Sequence, residues 1–266
     1  MDGLKRLSAS VQARVVQPAT LRHYAWTKYG RALAGWRGRY AGRRCFLIGN
    51  GPSLRAEDLT VLHRHGEVSF GFNRVYHIFD STPWRPDFYL SQDEKMLLGC
   101  REAVDELTLP VKLIPIERKW YQGIDIHDAL YFNLLHQPGA VPEDFLFSDN
   151  PAAGVYNAAT CLYSAAQLAA FLGFSEIYLL GVDHHFQVSR NDRGEIITDS
   201  FARDYFTDRY NPDRAQLYVP NLDRSTAAYL AMKAHLFRRN IRVCNATRGG
   251  KLEVFPRMEF DGLFDD

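Results

Sequence analysis

Short apolar runs alternate with helical patterns from residue 44 onward, and this alternation limits the possible folds more than any other feature. Strands are predicted at 45–48, 68–72, 88–90, 111–114, 177–182 and 241–244. Helices are predicted at about 57–65, 94–106, 160–172 and 223–239. Strands that alternate with helices typically form a mostly parallel sheet with helices on both faces. We therefore predict an α/β, Rossmann-like domain over residues 44–266.

Composition is consistent with one such domain. The chain has 266 residues, 46% of them apolar, which is enough for a sizeable core. It contains neither an apolar run of membrane-spanning length nor the pattern of a signal peptide. Its four cysteines are scattered, with no metal-ligand spacing, as is common in reduced proteins. These features predict a cytoplasmic protein without a cysteine-bound metal.

The first 44 residues are strongly basic, although the whole chain is almost neutral. They contain ten Lys or Arg residues and one acidic residue, and five aromatic residues lie among them: Tyr24, Trp26, Tyr29, Trp36 and Tyr40. We treat residues 1–43 as a basic, helical N-terminal extension. It could bind an anionic membrane with its rings at headgroup depth, placing the protein on the inner face of the membrane. It could equally pack on the acidic body or on a second copy of the chain. Nucleic acid is not an expected partner, because no binding motif accompanies the charge.

The segment RCFLIGNGPSL joins the first predicted strand to a helix through an unusual turn. Gly49 and Gly51 allow positive φ and close backbone approach, and Pro52 stiffens the turn. Asn50 supplies an amide, while Ser53 could cap the helix or offer its hydroxyl to a ligand. The turn lacks the lysine of a P-loop and the spacing of a dinucleotide fingerprint. Because ligands of such sheets bind beyond the carboxyl ends of the strands, we predict that this turn contacts a nucleotide phosphate or ribose.

Polar residues also follow other predicted strands, on what should be the same rim of the sheet. They are Asn73, Gln92, Asp93, Asp183, His184 and His185. An alanine-rich helix begins after Thr160, and its N-terminus could bind an anion. We predict that the residues on this rim line a nucleotide pocket.

Four segments together resemble a known family. IGNGPSL, FGFN, LGFSEIYLLGVDH and NATRGGKLEVFP resemble the MptE-like 6-hydroxymethylpterin diphosphokinase domain family over about residues 43–260. That family is related to motility-associated Maf glycosyltransferases and to bacterial sialyltransferases that use CMP-sialic acid. The resemblance implies a transferase of surface-polysaccharide synthesis (of the lipopolysaccharide or capsule type), with a nucleotide-sugar donor and a glycan or lipid-linked acceptor. A CMP-activated acidic sugar is the favoured donor.

The sialyltransferase resemblance also implies site residues. The positions that match its donor-binding residues are Gly49, Asn50, Gly51, Ser53, Asn73 and Thr160. His185 falls where those enzymes carry a tyrosine that steadies the departing phosphate. Ser200, in SFARDYF, stands where relatives carry a histidine proposed as the general base. Serine alone is a poor base near neutral pH, so we predict that His184 or His185 takes the proton, oriented by Asp183.

Two other functions remain open at this stage. A diphosphokinase would need Mg²⁺, which Asp93 and Asp183 could hold, whereas the CMP-dependent relatives need no metal. Because the expected histidine is absent, a catalytically impaired envelope-assembly protein is the other alternative. A panel of nucleotides with and without Mg²⁺ would separate these functions.

Overall fold

Eleven strands are formed by the residues that the computed structural model describes, which are 23–137, 139, 141–212 and 217–265. They are β1 Arg44–Ile48, β2 Val68–Phe72, β3 Phe88–Leu90, β4 Lys112–Pro115, β5 Ala129–Phe132, β6 Leu134–Leu135, β7 Val155–Tyr156, β8 Glu176–Leu180, β9 Val188–Arg190, β10 Ile196–Thr198 and β11 Arg242–Asn245. Seven of them form one parallel sheet in the order β11-β8-β1-β2-β3-β4-β5. The predicted α/β, Rossmann-like fold is confirmed.

Helices cover both faces of this sheet. They are α1 Lys28–Ala34, α2 Ala56–Arg64, α3 Glu94–Glu106, α4 Ile116–Gln122, α5 Cys161–Leu172 and α6 Leu222–Phe237. Three 3-10 segments of the described residues occupy Asn73–Ser81, Pro142–Asp144 and Asp261–Leu263. Within the described ranges, no helix combines the length and the apolar character needed to cross a bilayer.

Side chains of β1 alternate between two hydrophobic cores, as the period of a strand requires. Cys45 and Leu47 pack in a core with α5 and α6, while Phe46 and Ile48 pack in a second core with α2 and α3. All four side chains are fully buried. The strand is therefore apolar on both faces, which is typical of a parallel sheet covered by helices.

The order of the strands reverses at β1. The chain builds the sheet from β1 through β5 in one direction, then returns to place β8 and β11 on the other side of β1. Such a reversal opens a crevice beyond the carboxyl ends of the two strands where it occurs. Here those strands are β1 and β8.

Six predicted strands and four predicted helices correspond to observed elements, with ends displaced by a few residues. The stretch from 117 to 155, where no strand or helix is predicted, contains most of α4, all of β5 and β6, and the start of β7. These strands span only two to four residues, which is too short to show periodicity in the sequence.

The described part of the N-terminal extension packs on the body of the protein. Tyr24 is fully buried, and its hydroxyl donates a 3.0 Å hydrogen bond to the carbonyl oxygen of Tyr131 in β5. The ring of Tyr29 meets the ring of Tyr131 edge-on, with centroids 5.2 Å apart. Tyr24 therefore belongs to the interior, and the expectation that it faces a membrane is wrong; Tyr29 is half-buried against the body.

Two further aromatic residues of the extension are used in the same way. Trp36 packs edge-on against Phe88, and Tyr40 stacks on Phe174 with centroids 4.9 Å apart. Only Trp26 of the predicted membrane-facing aromatic residues is largely exposed, at 79%. Burial of so much aromatic surface is favourable, and it explains why the segment folds back. Residues 1–22, which carry four of the ten basic residues, lie outside the described part of the chain.

Candidate functional site

The turn after β1 packs directly against the loop after β8. The Gly49 amide donates to the Leu180 carbonyl oxygen at 2.7 Å, and the Gly51 amide donates to that of Gly181 at 2.9 Å. A β-carbon at Gly49 would collide with the Gly181 carbonyl, and one at Gly51 would collide with the Asp183 carboxylate. Neither turn glycine has a positive φ. Glycine is therefore required here because the turn after β1 lies too close to the loop after β8 to leave room for a side chain.

Asp183 secures this contact. Its Oδ2 accepts hydrogen bonds from the Ser53 hydroxyl at 2.7 Å and from the Ser53 amide at 3.3 Å. Burial raises the pKa of the Asp183 carboxyl group, and the bonds from Ser53 oppose that shift. The expectations that Ser53 caps α2 or offers its hydroxyl to a ligand are not met, because the hydroxyl is donated to Asp183. The pairing of Asp183 with an imidazole is also wrong, since its carboxylate is held by Ser53.

Asn50 lies between the turn and β2. Its side-chain Nδ2 donates to the Phe72 carbonyl oxygen at 3.0 Å, and its main-chain carbonyl oxygen accepts from the Phe206 amide at 3.1 Å. Its Oδ1 is buried without a hydrogen-bond partner. The side chain is thus fixed by one end, and the acceptor at its other end is not used by the protein.

Asn73 occupies the left-handed region, with a φ of 50°. The Tyr89 hydroxyl donates to its carbonyl oxygen at 2.6 Å, and the Ser91 hydroxyl donates to its Oδ1 at 3.2 Å. Asparagine tolerates this backbone conformation better than most residues do. The side chain is therefore held at the carboxyl end of β2, as the sequence predicts.

A single cavity of about 1480 Å³ collects the predicted rim residues. Its lining includes Gly49, Asn50, Gly51, Asn73, Gln92, Asp93, Thr160, Asp183, His184 and His185. Ser53 is outside the lining and reaches the site only through Asp183. The sequence therefore identified the rim correctly, while the roles of these residues remain predictions.

The two adjacent histidines have different surroundings. His184 has a φ of 53°, its Nε2 lies 2.8 Å from the Thr226 hydroxyl, and its ring meets that of Tyr229 edge-on. Burial lowers the pKa of His184 to about 4, so its imidazole is neutral and weakly basic at neutral pH.

His185 instead lies between charged groups. Its Nε2 is 2.9 Å from Asp199 Oδ2 and 3.0 Å from Lys251 Nζ. The pKa of Asp199 is lowered by hydrogen bonds from the Phe201 amide and from His185. Asp199 directly precedes Ser200, so an imidazole does reach the segment in which the expected histidine is missing. It comes from a different strand end.

Asp93 and Thr160 serve as helix caps. Asp93 Oδ1 accepts from the Met96 amide at 2.8 Å at the start of α3, and Thr160 Oγ1 accepts from the Leu162 amide at 3.3 Å at the start of α5. Asp183 Oδ2 is likewise bonded, to Ser53, so each carboxylate of the predicted Mg²⁺ pair already makes a contact within the protein. The described part of the chain contains no group of three or more His, Cys, Asp or Glu side chains that could hold a metal ion. Binding of Mg²⁺ by Asp93 and Asp183 stays a prediction.

The opposite end of the cavity contains residues that the sequence analysis did not identify. His136 Nε2 lies 2.9 Å from Glu117 Oε1, and the Arg118 guanidinium donates to the main-chain oxygen of Gln92 at 3.1 Å. The side-chain Nε2 of Gln92 donates to Asn157 Oδ1 at 3.0 Å. Glu117 and Arg118 come from α4 and His136 from the loop after β6, where no motif marks them.

Four buried side-chain atoms of the described residues have no hydrogen-bond partner. They are Asn50 Oδ1, Gln92 Oε1, Arg118 Nε and Arg224 Nε. All four residues line the cavity. Buried polar groups in folded proteins are nearly always bonded, so unfilled capacity concentrated in one cavity indicates a polar ligand.

Comparisons with known proteins find only distant structural similarity. No family model matches the chain and no curated protein is significantly similar, so the resemblance to the MptE-like family stays a prediction. A Maf glycosyltransferase from Magnetospirillum magneticum AMB-1 is 16% identical with a TM-score of 0.48, and the match covers 87% of this chain but only 38% of that one.

Two sialyltransferases are also only distantly similar. CstII from Campylobacter jejuni, in complex with a substrate analogue, cytidine-5'-monophosphate, is 16% identical with a TM-score of 0.48, covering 82% of this chain and 85% of that one. A mammalian sialyltransferase is 10% identical with a TM-score of 0.36, covering 92% and 88%. We therefore base the functional argument on the site itself.

Proposed function

We propose that this chain is a glycosyltransferase that binds a nucleotide-sugar donor at the crevice between β1 and β8. One observation carries the proposal: the glycine turn and His185, which is bonded to Asp199, line the same cavity at the reversal of strand order. The unfilled Oδ1 of Asn50 offers an acceptor for a ribose hydroxyl or an amino group of the base.

In the proposed reaction, an acceptor hydroxyl oxygen attacks the anomeric carbon of the donor sugar. The bond from that carbon to the phosphate oxygen breaks, and the phosphate leaves with the electron pair. In the tautomer whose proton lies on Nε2 and is donated to Asp199, His185 has an unprotonated Nδ1 that takes the proton of the hydroxyl; in this tautomer Lys251 makes no hydrogen bond to Nε2. His184, whose pKa is lowered to about 4 by burial, is a weak base and is not assigned this role.

Lys251 is suited to a second role. Its ammonium lies 3.0 Å from His185 Nε2, and its amide donates to the Asp183 carbonyl oxygen at 2.7 Å. A cation held at the end of β8 would stabilise negative charge that develops on a departing phosphate. No step of this mechanism passes through a metal ion.

The finer assignment is a CMP-activated acidic sugar, transferred to a glycan or lipid-linked acceptor in surface-polysaccharide synthesis. It depends on the resemblance of IGNGPSL and LGFSEIYLLGVDH to the sialyltransferase relatives. The Arg224 guanidinium, with an unfilled Nε in the cavity, could pair with the carboxylate of such a sugar.

Thermal-shift measurements with CMP, CDP, UDP, GDP, ATP and AMP, each with and without Mg²⁺, test the proposal. A ligand that binds the folded state raises its stability by mass action. We expect stabilisation by cytidine nucleotides that does not depend on Mg²⁺. Stabilisation only by ATP with Mg²⁺ would instead favour diphosphate transfer, and no response to any nucleotide would overturn the proposal.

A further inference from the structure

The cavity is larger than a donor alone requires. Small-molecule sites usually enclose about 300–1,000 Å³, whereas this cavity encloses about 1480 Å³. β4 is three strands from β1, and neighbouring strands are about 4.8 Å apart. The end of the cavity at β4 is therefore about 14 Å from the glycine turn. The far end therefore has room for a second ligand.

Gln92 and Arg118 indicate the chemistry of that ligand. The two side chains are 5% and 8% exposed as residues, and they are joined by the bond from the Arg118 guanidinium to the Gln92 main chain. One retains an unfilled acceptor, Oε1, and the other an unfilled donor, Nε. A hydroxyl group both donates and accepts, so hydroxyl groups can satisfy both residues.

Charge argues against an anionic ligand at this end. The Arg118 guanidinium is already within 3.4 Å of the Glu94 carboxylate and 3.7 Å of that of Glu117. The Asp93 carboxylate also lines this wall. A further carboxylate or phosphate would meet these like charges, whereas a neutral hydroxyl would not.

His136 and Tyr121 complete a surface suited to a sugar. The His136 imidazole is bonded to Glu117, whose side chain is 14% exposed, so the pair presents a fixed polar edge. The Tyr121 ring lines the same end and is 59% exposed, and it offers an apolar face to the carbon–hydrogen side of a pyranose.

We propose that Gln92, Glu117, Arg118, His136 and Tyr121 form an acceptor subsite that binds a neutral sugar residue through its hydroxyl groups. The acceptor role of this sugar rests on the proposed glycosyltransferase function. Gln92 is thereby assigned to the acceptor rather than to the nucleotide.

Saturation-transfer NMR tests the subsite with three neutral probes: methyl β-galactoside, methyl α-glucoside and methyl α-mannoside. Methyl glucuronide serves as the anionic counterpart. We expect at least one neutral glycoside to bind better than the glucuronide, and Glu117→Gln to weaken that binding about tenfold. Glu102→Gln, on the exposed side of α3, is the matched control and should bind as the wild type does.

Tyr121→Ala keeps the test decisive if Glu117→Gln does not fold. This exposed ring can be removed without opening the core, and its loss should weaken sugar binding about threefold, while Phe237→Ala, which removes an 81% exposed ring, should not. The subsite is overturned if no neutral glycoside binds, if the glucuronide binds better, or if Glu117→Gln and Tyr121→Ala bind as tightly as the controls.

CMP binding, measured by thermal shift on the same samples, separates the two proposals. We expect it to be equal in wild type, Glu117→Gln and Tyr121→Ala. Sugar binding that depends on Glu117 without any nucleotide binding would support the subsite and overturn only the donor proposal. Loss of CMP binding together with sugar binding in folded Glu117→Gln would overturn the separate subsite.

Discussion

The two ends of the cavity are built from different parts of the chain. The end at β1 and β8 consists of backbone and short side chains, in which Gly49 and Gly51 touch the β8 loop and Ser53 is bonded to Asp183. The end at β4 and α4 consists of long polar side chains such as Glu117 and Arg118. A substitution at the first end should change mainly the stability of the fold. A substitution at the second end should change mainly the binding of the ligand.

This difference suggests a division of labour. A backbone surface has one shape and suits a ligand part that never varies, such as a nucleotide. Long side chains on a short helix can be exchanged without altering the sheet, which suits a part that differs between relatives. Substitutions at the two ends of the cavity test this division.

His185→Ala should reduce the rate of transfer by about 10²–10⁴, because that is the usual contribution of a general base. Donor binding should be preserved. The measurement is CMP release from a CMP-sugar in the presence of an acceptor, with His184→Asn as the control, since asparagine tolerates the positive φ at that position. Equal rates in His185→Ala and wild type would show that His185, at the β8 end, is not the general base.

Gly51→Ala should lower the free energy of unfolding by about 3 kcal/mol, because the added methyl group collides with the Asp183 carboxylate. Gly262→Ala has open space around its added methyl group and should change stability by less than about 0.5 kcal/mol. Chemical denaturation measures both. If the two variants are equally stable, the β1 turn is less rigid than its contacts indicate.

Acid should destabilise the protein through His184. The folded state takes up this proton only near pH 4 and the unfolded state near the ordinary pKa of 6.5, so the unfolded state binds more protons between those values. Stability therefore falls as the pH drops from about 6.5 to about 4, by about 2–3 kcal/mol from this residue. Denaturation of wild type and His184→Asn at pH 7 and pH 4.5 measures the difference. Parallel losses in both proteins would contradict the prediction.

Two buried amides give the most direct comparison of the ends. Asn50→Ala should weaken nucleotide binding by about 1–3 kcal/mol, the usual cost of leaving a buried polar group without its partner. Gln92→Ala, which removes the corresponding unfilled oxygen at the other end, should leave nucleotide affinity unchanged. Calorimetry with CMP decides between them. Equal losses in the two variants would mean that one ligand spans both ends.

The β1 end was accessible from the sequence because its signal is local. A strand, a glycine-rich turn and a helix follow one another within twenty residues, and this pattern locates the rim of a parallel sheet. The bonds made across the rim were not accessible. Ser53 and Asp183 are 130 residues apart, and nothing in the sequence pairs them.

The partner of His185 illustrates the same limit. Sequence reasoning chose Asp183 because it is adjacent along the chain, but the β9–β10 hairpin brings back Asp199, which is 14 residues away. The Glu117–His136 pair lies in a stretch of short elements without periodicity, so no pattern indicated it. Contacts that depend on loop paths were therefore missed, whereas those set by strand order were found.

The burial of Tyr24 has a consequence for how copies of this chain could associate. An edge strand with free backbone groups is a template for strand addition by another molecule. At the β5 edge the Tyr24 hydroxyl occupies the Tyr131 carbonyl oxygen, and at the β11 edge Asn245 exchanges backbone hydrogen bonds with Pro256 and Met258. Another chain could pair with the sheet at Tyr131 or Asn245 only by displacing part of the protein itself, so strand addition is blocked at these two positions.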